Sequence, residues 1–227
     1  MGAFEAFYAS AYQHPWLLWL AALLAAAVLA ARRGLDPRLR GYLACLVGLS
    51  LLDAWLSSNH VYGIGVLPGP FASFVSLFFV LAGDFRYLLL AVAATPSGGL
   101  RIEARNLAVA AALTAIVPLF SQAIFSLLPD SLGAPRVLFL VYELAFIGLT
   151  GSLMRWNRNL RETAWLRSVS RFVLLYYALW AGADAIILAT GSDLGFLLRV
   201  VPNALYYGGL IAVIALAAPQ PPVQSRW

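Results

Sequence analysis

The chain has 227 residues, of which 62% are apolar and 11% are charged. A soluble domain has about 45–50% apolar and about 25% charged residues, so this composition excludes a soluble globular protein. The net charge of +5 comes from fifteen basic residues, all of them arginine, and the absence of lysine excludes a Schiff-base or phosphate-loop lysine.

Seven apolar runs are long enough to cross the ~30 Å of hydrocarbon in a bilayer. In chain order they cover about residues 15–31, 41–58, 71–94, 107–128, 137–154, 168–190 and 196–217. Ahead of the first run, Phe4, Phe7, Tyr8 and Tyr12 recur at helical spacing, which predicts a short interfacial helix at about residues 3–12. We therefore predict an all-α integral membrane protein, a seven-transmembrane helix bundle that forms one domain over residues 1–227 and ends in a tail at 218–227.

The arginines outside the predicted spans lie almost entirely on one side of the membrane. The first, third and fifth loops and the tail contain Arg32, Arg33, Arg38, Arg40, Arg101, Arg105, Arg155, Arg158, Arg161, Arg167 and Arg226, whereas the opposite side contains Arg136. Positively charged loops stay in the cytoplasm, so the N-terminus is predicted outside and the C-terminus cytoplasmic, in a bacterial inner membrane. The basic loops indicate contact with anionic lipid headgroups rather than with nucleic acid.

An offset of 131 residues produces a weak internal repeat. It superposes Arg40, Leu43, Asp53 and Ala54 on Arg171, Leu174, Asp184 and Ala185. The same register aligns spans one to three with spans five to seven and leaves the fourth as a linker, a 3+1+3 arrangement of parallel repeats that occurs in transporters. Four matches in an apolar background are also compatible with chance.

Seven ionisable residues fall inside the predicted spans, where each charge costs a few kcal/mol to insert and is a functional candidate by default. They are Asp53, Asp84, Arg86, Glu143, Arg171, Asp184 and Arg199. In the outer half of the bundle, helical spacing predicts a polar pocket. Its candidate substrate-binding or proton-carrying residues are Asp53, Ser57, His60, Glu143, Asp184, Arg199, Asn203 and Tyr206.

The charges are expected to pair selectively. Arg199 is predicted to pair with Asp184 because a short loop joins their spans, which would leave Asp53 and Glu143 without an arginine and make them candidate proton carriers. The inner-half candidates Asp84 and Arg86 are two residues apart and should not pair with each other; Arg86 is expected to reach another helix or the cytoplasmic headgroups. The alternative is a static network that fixes helix packing.

The sequence gives little support for a metal site or for a Ser-His catalytic dyad. The two histidines, His14 and His60, and the single Cys45 provide no metal cage, although a mixed site of His60, Asp53 and one further acid stays open. Ser152 is predicted near the cytoplasmic end of its span and His60 near the outer face, which argues against a Ser-His dyad. We predict no catalytic residue, no metal and no cofactor.

Three functions remain open. The first is a transporter or carrier of a small polar or ionic solute, with a proton as candidate coupling ion. The second is an intramembrane enzyme that acts on a lipid or isoprenoid, with Asp53 and His60 as acid and base. The third is a non-catalytic membrane subunit or signalling protein whose arginine-rich loops dock a partner. The sequence favours a protein that is not an enzyme. It identifies neither a substrate nor an oligomeric state.

Overall fold

The computed structural model describes residues 2–60 and 64–220, and the regular structure within them is helical. The helices are α1 (Ala3–Tyr8), α2 (Tyr12–Ala31), α3 (Pro37–Leu56), α4 (Gly69–Ala93), α5 (Ala104–Ser126), α6 (Pro135–Trp156), α7 (Arg158–Glu162), α8 (Ala164–Thr190) and α9 (Leu194–Ala217). Short 3₁₀ turns lie at Ile64–Val66 and Asp130–Leu132. Most of the predicted tail, residues 221–227 with Arg226, lies outside the described residues.

In the described part of the chain, seven helices, α2 to α6, α8 and α9, are long and apolar enough to cross a membrane. This confirms the predicted all-α bundle of seven spans. The spans begin a few residues earlier than hydropathy alone indicates, because polar residues and prolines start the helices. Helix α3 begins at Pro37 since the carboxylate of Asp36 accepts hydrogen bonds from the backbone N–H groups of Arg38 and Leu39, at 2.9 and 3.1 Å.

The flank of the bundle is apolar. Leu20, Leu23 and Leu24 of α2 are each more than half exposed, as are Phe74 of α4 and Leu119 of α5. A soluble protein rarely exposes so many large apolar side chains together, but such side chains match the hydrocarbon of a bilayer. Helix lengths and this apolar flank together support a multi-pass membrane protein.

The seven long helices pack in the order α3, α2, α9, α8, α6, α5 and α4 around the bundle. The second half of α4 runs through the centre, where Tyr87, Leu88 and Leu90 are almost fully buried. The first half of α4 stands away from the centre: within residues 69–80, only Val75 and Phe79 are buried. Helices α3 and α4 meet mainly along the second half of α4, where the Tyr42 hydroxyl donates to the carbonyl of Arg86. The internal repeat stays a prediction.

Contacts between residues that are far apart in the sequence mark the two ends of the bundle. At the amino-terminal end, the backbone N–H of Phe4 donates to Asp193 Oδ2 at 3.2 Å, and the His60 ring lies 2.9 Å from the carbonyl of Ala9. At the opposite, arginine-rich end, Arg32 donates to the carbonyl of Ala215 at 3.1 Å. The arginine-rich half is solidly packed, with fully buried side chains that include Leu39, Leu43, Leu160, Leu166, Val169 and Ile214.

Helix α9 is irregular at its middle. Pro202 lies inside the helix, and because proline has no backbone N–H it interrupts the regular hydrogen bonding. One turn of π-helix, called the π-turn below, follows at Leu205–Gly209. The side chains of Tyr206 and Tyr207 within it are buried. π-turns of this kind are frequent at functional sites.

Candidate functional site

A cavity of about 760 Å³ occupies the amino-terminal half of the bundle, and every helix except α7 contributes to its wall. Seven of the eight residues predicted for an outer-half pocket line it, namely Asp53, Ser57, His60, Glu143, Arg199, Asn203 and Tyr206. The eighth, Asp184, is fully buried behind the wall. Asp84, which was predicted in the inner half, lines the same cavity because α4 crosses the bundle centre at this residue.

A charged cluster lies near the amino-terminal end of the cavity. Asp184 Oδ1 accepts hydrogen bonds from Arg199 Nη1 and, at 2.8 Å, from Arg136 Nη1. The predicted Arg199–Asp184 pair is therefore present. Glu143 Oε1 lies 3.7 Å from Arg199 Nη1, so the expectation that Glu143 lacks an arginine is wrong. The two arginines and two carboxylates of this cluster balance in formal charge.

Arg136 is the member of this cluster that was not predicted from the sequence. Hydropathy places it just outside the fifth span, on the side that the arginine distribution predicts to face outward. It is the second residue of α6, and its guanidinium packs over the ring of Phe196 at 4.8 Å while it reaches Asp184. The signal in the sequence was its isolation as the single arginine on that side, which indicates a specific partner rather than a topogenic role.

Helix α1 contributes to the rim of the cavity at its amino-terminal end. The Tyr8 hydroxyl accepts hydrogen bonds from Arg199 Nε at 3.2 Å and from Asn203 Nδ2 at 3.4 Å. Asn203 Oδ1 in turn accepts a hydrogen bond from the indole N–H of Trp180 at 2.8 Å. These contacts connect α1 at the rim to α9 and, through Trp180, to α8.

Asp53 and His60, the candidate acid and base, have separate hydrogen-bond partners. Asp53 Oδ1 accepts a hydrogen bond from Ser57 Oγ, one turn further along α3, at 2.7 Å. His60 is exposed, and its Nε2 atom lies against the carbonyl of Ala9. Asp53 is buried, with its exposed fraction at 7%, whereas His60 lies at the mouth.

Aromatic side chains form the floor of the cavity, towards the arginine-rich end. The floor consists of Tyr177, Trp180, Tyr206 and Tyr207; the ring centroids of Trp180 lie 5.4 Å from Tyr177 and 5.3 Å from Tyr206. Asp84 lies at this floor and accepts hydrogen bonds from the hydroxyls of Tyr142 and Tyr177, one on each carboxylate oxygen.

Two further wall residues, Tyr142 and Trp180, were not predicted from the sequence. Trp180 lies three residues after Tyr177 and four before Asp184, so helical spacing already placed it on the same face of α8. Tyr142 immediately precedes Glu143, and its contact with Asp84 depends on the distance between α6 and α4, which spacing does not reveal.

Arg86 lies beneath the floor and is almost completely buried. Its guanidinium donates to the carbonyl of Gly83 at 3.1 Å, to Ser50 Oγ at 3.3 Å and to the carbonyl of Tyr206 at 2.5 Å. Its Cζ atom also lies 3.8 Å from the centre of the Tyr206 ring. Of the two expectations for Arg86, the structure shows contact with other helices and not extension to the headgroups.

The cavity also reaches the flank of the bundle. Its wall includes Leu77 and Val80 of α4 and Phe139 of α6, each more than 40% exposed. These residues lie in the part of the bundle where the first half of α4 stands apart from α3. The cavity therefore approaches the apolar flank of the bundle beside α4 as well as the amino-terminal end.

Metal chemistry has no support from the described residues. Within 2–60 and 64–220, no group of three or more His, Cys, Asp or Glu side chains is close enough to hold a metal ion. The mixed metal site of His60, Asp53 and another acid, which the sequence left open, is therefore not found in this part of the chain.

Comparisons with protein-family models, with curated proteins and with solved structures found no match for this chain. Neither a family nor a relative therefore assigns a role to the cavity. Its function has to be inferred from the residues that form it.

Proposed function

We propose that the protein is a transporter or carrier of a small polar or ionic solute and that the cavity is its solute site. The observation that carries the proposal is a cavity of about 760 Å³ with carboxylates at its floor and solid packing beyond it. A cavity closed at one end corresponds to one state of an alternating-access cycle.

The depth of the floor supports this function. Asp84 is fifteen residues into the 25-residue helix α4, about 22 Å along an axis of about 37 Å at 1.5 Å per residue. Tyr206 is at the middle of α9, beside the irregular turn. Solute sites of secondary transporters lie near the bilayer midplane at interrupted helices. A floor near the middle of α4, beside the irregular turn of α9, supports the proposal of such a site.

A proton is the candidate coupling ion. Asp53 and Asp84 both line the cavity, and in the described residues neither forms an ion pair within 4 Å. A cavity carboxylate that takes up a proton in one state and releases it in the other would couple solute movement to the proton gradient. Glu143, the other candidate, is the weaker one because Arg199 lies beside it.

The proposed orientation places the amino-terminal end outside and the arginine-rich end in the cytoplasm of a bacterial inner membrane. Arg38, Arg101, Arg155 and Arg158 are exposed at the arginine-rich end, where they can contact anionic headgroups. In this orientation the cavity opens outward, and the packed half of the bundle closes it from the cytoplasm.

Thiol accessibility tests the proposal while the solute is still unidentified. Ser76 lines the cavity on α4, so Ser76→Cys in a Cys45→Ala background places one thiol in the cavity. In proteoliposomes, a membrane-impermeant thiol reagent is added either outside or inside. Ser131→Cys and Ser97→Cys, at exposed turns of the two ends, report each side separately.

A transporter exposes the Ser76→Cys thiol to both sides in turn, so slow labelling from the arginine-rich side should accompany fast labelling from the amino-terminal side. Labelling from the amino-terminal side alone, with both marker variants behaving normally, would overturn transport and leave a static binding pocket. The rate ratio between the two sides measures how the protein divides its time between the two states.

The opening beside α4 favours one second candidate, an intramembrane enzyme for a lipid or isoprenoid. Leu77, Val80 and Phe139 would admit an acyl or prenyl chain from the bilayer to the carboxylates at the floor. Such an enzyme would show thiol labelling from one side alone. It would also copurify with a lipid that mass spectrometry detects and that a bulky Val80→Trp substitution displaces.

A further inference from the structure

The charges around the cavity are unequal between its two ends. Near the amino-terminal end, two arginines and two carboxylates balance, and these are Arg136, Arg199, Glu143 and Asp184. At the floor, Asp53 and Asp84 face the cavity, while the guanidinium of Arg86 lies beneath the floor and bonds to Ser50 and two carbonyls. Counting these three groups, the floor has one formal negative charge more than it has positive charge.

The aromatic floor is suited to a positive charge. Each ring of Tyr177, Trp180, Tyr206 and Tyr207 presents a negative face that attracts a cation within about 6 Å. One face of Tyr206 already binds a cation, because the Arg86 guanidinium lies 3.8 Å from its centre. Groups of aromatic rings bind quaternary ammonium groups, and carboxylates beside the rings add Coulombic attraction for the positive charge.

Glu143 provides a separate observation. It lines the cavity, is 5% exposed, and among the described residues its Oε2 atom has no hydrogen-bond partner. A buried carboxylate oxygen can only accept a hydrogen bond, so it calls for a donor or a positive charge. Glu143 Oε2 is therefore an acceptor above the floor, in addition to the floor carboxylates. A ligand with N–H groups or a positive charge can bind to it.

Size separates organic from inorganic cations. A cavity of about 760 Å³ lies within the range of about 300–1,000 Å³ that suits drug-sized molecules. A bare metal ion requires several converging oxygen or nitrogen ligands, and the described residues offer no such group. Apolar side chains such as Leu18, Phe79 and Phe139 in the wall match an apolar body attached to the charge.

We infer that the cavity binds a small organic cation, an amine or quaternary ammonium group on an apolar body, with the positive charge at the floor between Asp53, Asp84 and the aromatic rings. This inference rests on the proposed function, because it takes the cavity as the solute site. The positive group of the ligand balances the excess negative charge of the floor, and its apolar body extends towards α4 and α6.

The probe for binding is phenyltrimethylammonium, compared with benzenesulfonate, an anion of similar size, and benzyl alcohol, a neutral molecule. Isothermal titration calorimetry on the full chain in detergent measures each affinity. Phenyltrimethylammonium should bind at least tenfold more tightly than the other two. Asp84→Asn and Asp53→Asn should each weaken its binding about tenfold or more, because each removes one of the two floor carboxylates.

Two matched controls isolate the site. Glu103→Gln removes an exposed carboxylate at the arginine-rich end and should leave the affinity unchanged. Trp180→Leu removes a ring from the floor and should weaken binding of the cation, whereas Trp156→Leu removes an exposed indole and should not. Thermal denaturation of each variant establishes that it is folded before its affinity is compared.

Equal binding of cation and anion, tighter binding of benzenesulfonate, or an absence of phenyltrimethylammonium binding to folded protein would overturn the inference. Failure of the proposed function gives a different pattern. If phenyltrimethylammonium binds and the Ser76→Cys thiol is labelled from one side alone, the cation site stands and transport does not. If the thiol is labelled from both sides and the cation does not bind, transport stands and the substrate class does not.

Discussion

The guanidinium of Arg86 binds Tyr206 in two ways at once. Its Nη2 atom donates to the Tyr206 carbonyl at 2.5 Å, and its Cζ atom lies 3.8 Å from the centre of the Tyr206 ring. The carbonyl belongs to the π-turn of α9, in which the regular helical hydrogen bonding is altered. Arg86 therefore joins the centre of α4 to the irregular part of α9 directly beneath the cavity floor.

The substitution Arg86→Lys tests this connection. Lysine keeps the positive charge but loses the planar group that stacks on Tyr206 and donates in three directions. We expect a loss of about 2 kcal/mol, from charged hydrogen bonds and the ring contact together, measured as a lower melting temperature in detergent. The same substitution at exposed Arg155 should have almost no effect. Equal melting temperatures for the two variants would contradict this role of Arg86.

Gly83 makes room for Tyr206. A Cβ atom at this position would overlap Tyr206 Oη, and the ring has little room to move between Arg86 and Trp180. Gly83→Ala should therefore cost about 1–3 kcal/mol through overpacking and lower the melting temperature by roughly 5 °C or more. Gly148→Ala, whose Cβ would meet nothing within 4 Å, is the control and should not lower it. Tyr206→Phe should partly rescue Gly83→Ala, and an absence of rescue would argue against this contact.

Hydropathy alone predicts the seven spans, because a bilayer requires about twenty apolar residues in each crossing and satisfies no backbone groups itself. Helix ends are less predictable. At Asp36, a side chain caps the backbone and starts α3 at Pro37, before the apolar run begins. Such capping depends on a local hydrogen bond that an average over apolar residues does not register.

The site was predictable as a set of helix faces but not as a set of contacts. Helical spacing placed Asp53 with Ser57 and Arg199 with Asn203, and all four line one cavity. It gave no information on which helix lies at the centre of the bundle. Central placement of α4 brings Asp84 to the same cavity, and inward packing of α6 brings Arg136 to Asp184. Both depend on tertiary packing.

Asp184 should matter more for stability than Glu143. Asp184 is fully buried and accepts hydrogen bonds from two arginines, so Asp184→Asn removes the anion that Arg136 and Arg199 share and leaves Arg199 with the more distant Glu143. Loss of one partner from a buried pair costs about 3–5 kcal/mol. Glu143→Gln should cost less, because Glu143 lies 3.7 Å from Arg199 and the variant leaves Arg199 paired with Asp184.

The exposed pair Arg158–Glu162, at 2.9 Å within α7, supplies the control for that comparison. Glu162→Gln should change the free energy of unfolding by about 0–1 kcal/mol, since water screens exposed pairs. Melting temperatures in one detergent rank the three variants. A Glu143→Gln variant that melts below Asp184→Asn would refute the assignment of Asp184 as the central anion.

The proposed orientation can be measured in intact cells. Ser131→Cys, at the turn between α5 and α6, should react with a membrane-impermeant thiol reagent from outside, in a Cys45→Ala background. Ser97→Cys, in the exposed turn after α4, should react only after the membrane is permeabilised. The arginine distribution gives this expectation through the preference of basic loops for the cytoplasm. The reverse labelling pattern would invert the topology and with it the side to which the cavity opens.

Asp53→Asn tests the role of a proton in transport. The groups that face Asp53 are Ser57 on its own helix, Arg86 of α4 and Tyr207 of α9, so Asp53 is the acidic member of this set. If Asp53 carries the coupling proton, uptake of phenyltrimethylammonium into proteoliposomes should respond to an imposed pH gradient, and asparagine, which cannot ionise, should abolish that response. Glu103→Gln should retain it. A folded Asp53→Asn variant with an unchanged response would exclude Asp53 as the carrier and leave Asp84 and Glu143 as the acids to test.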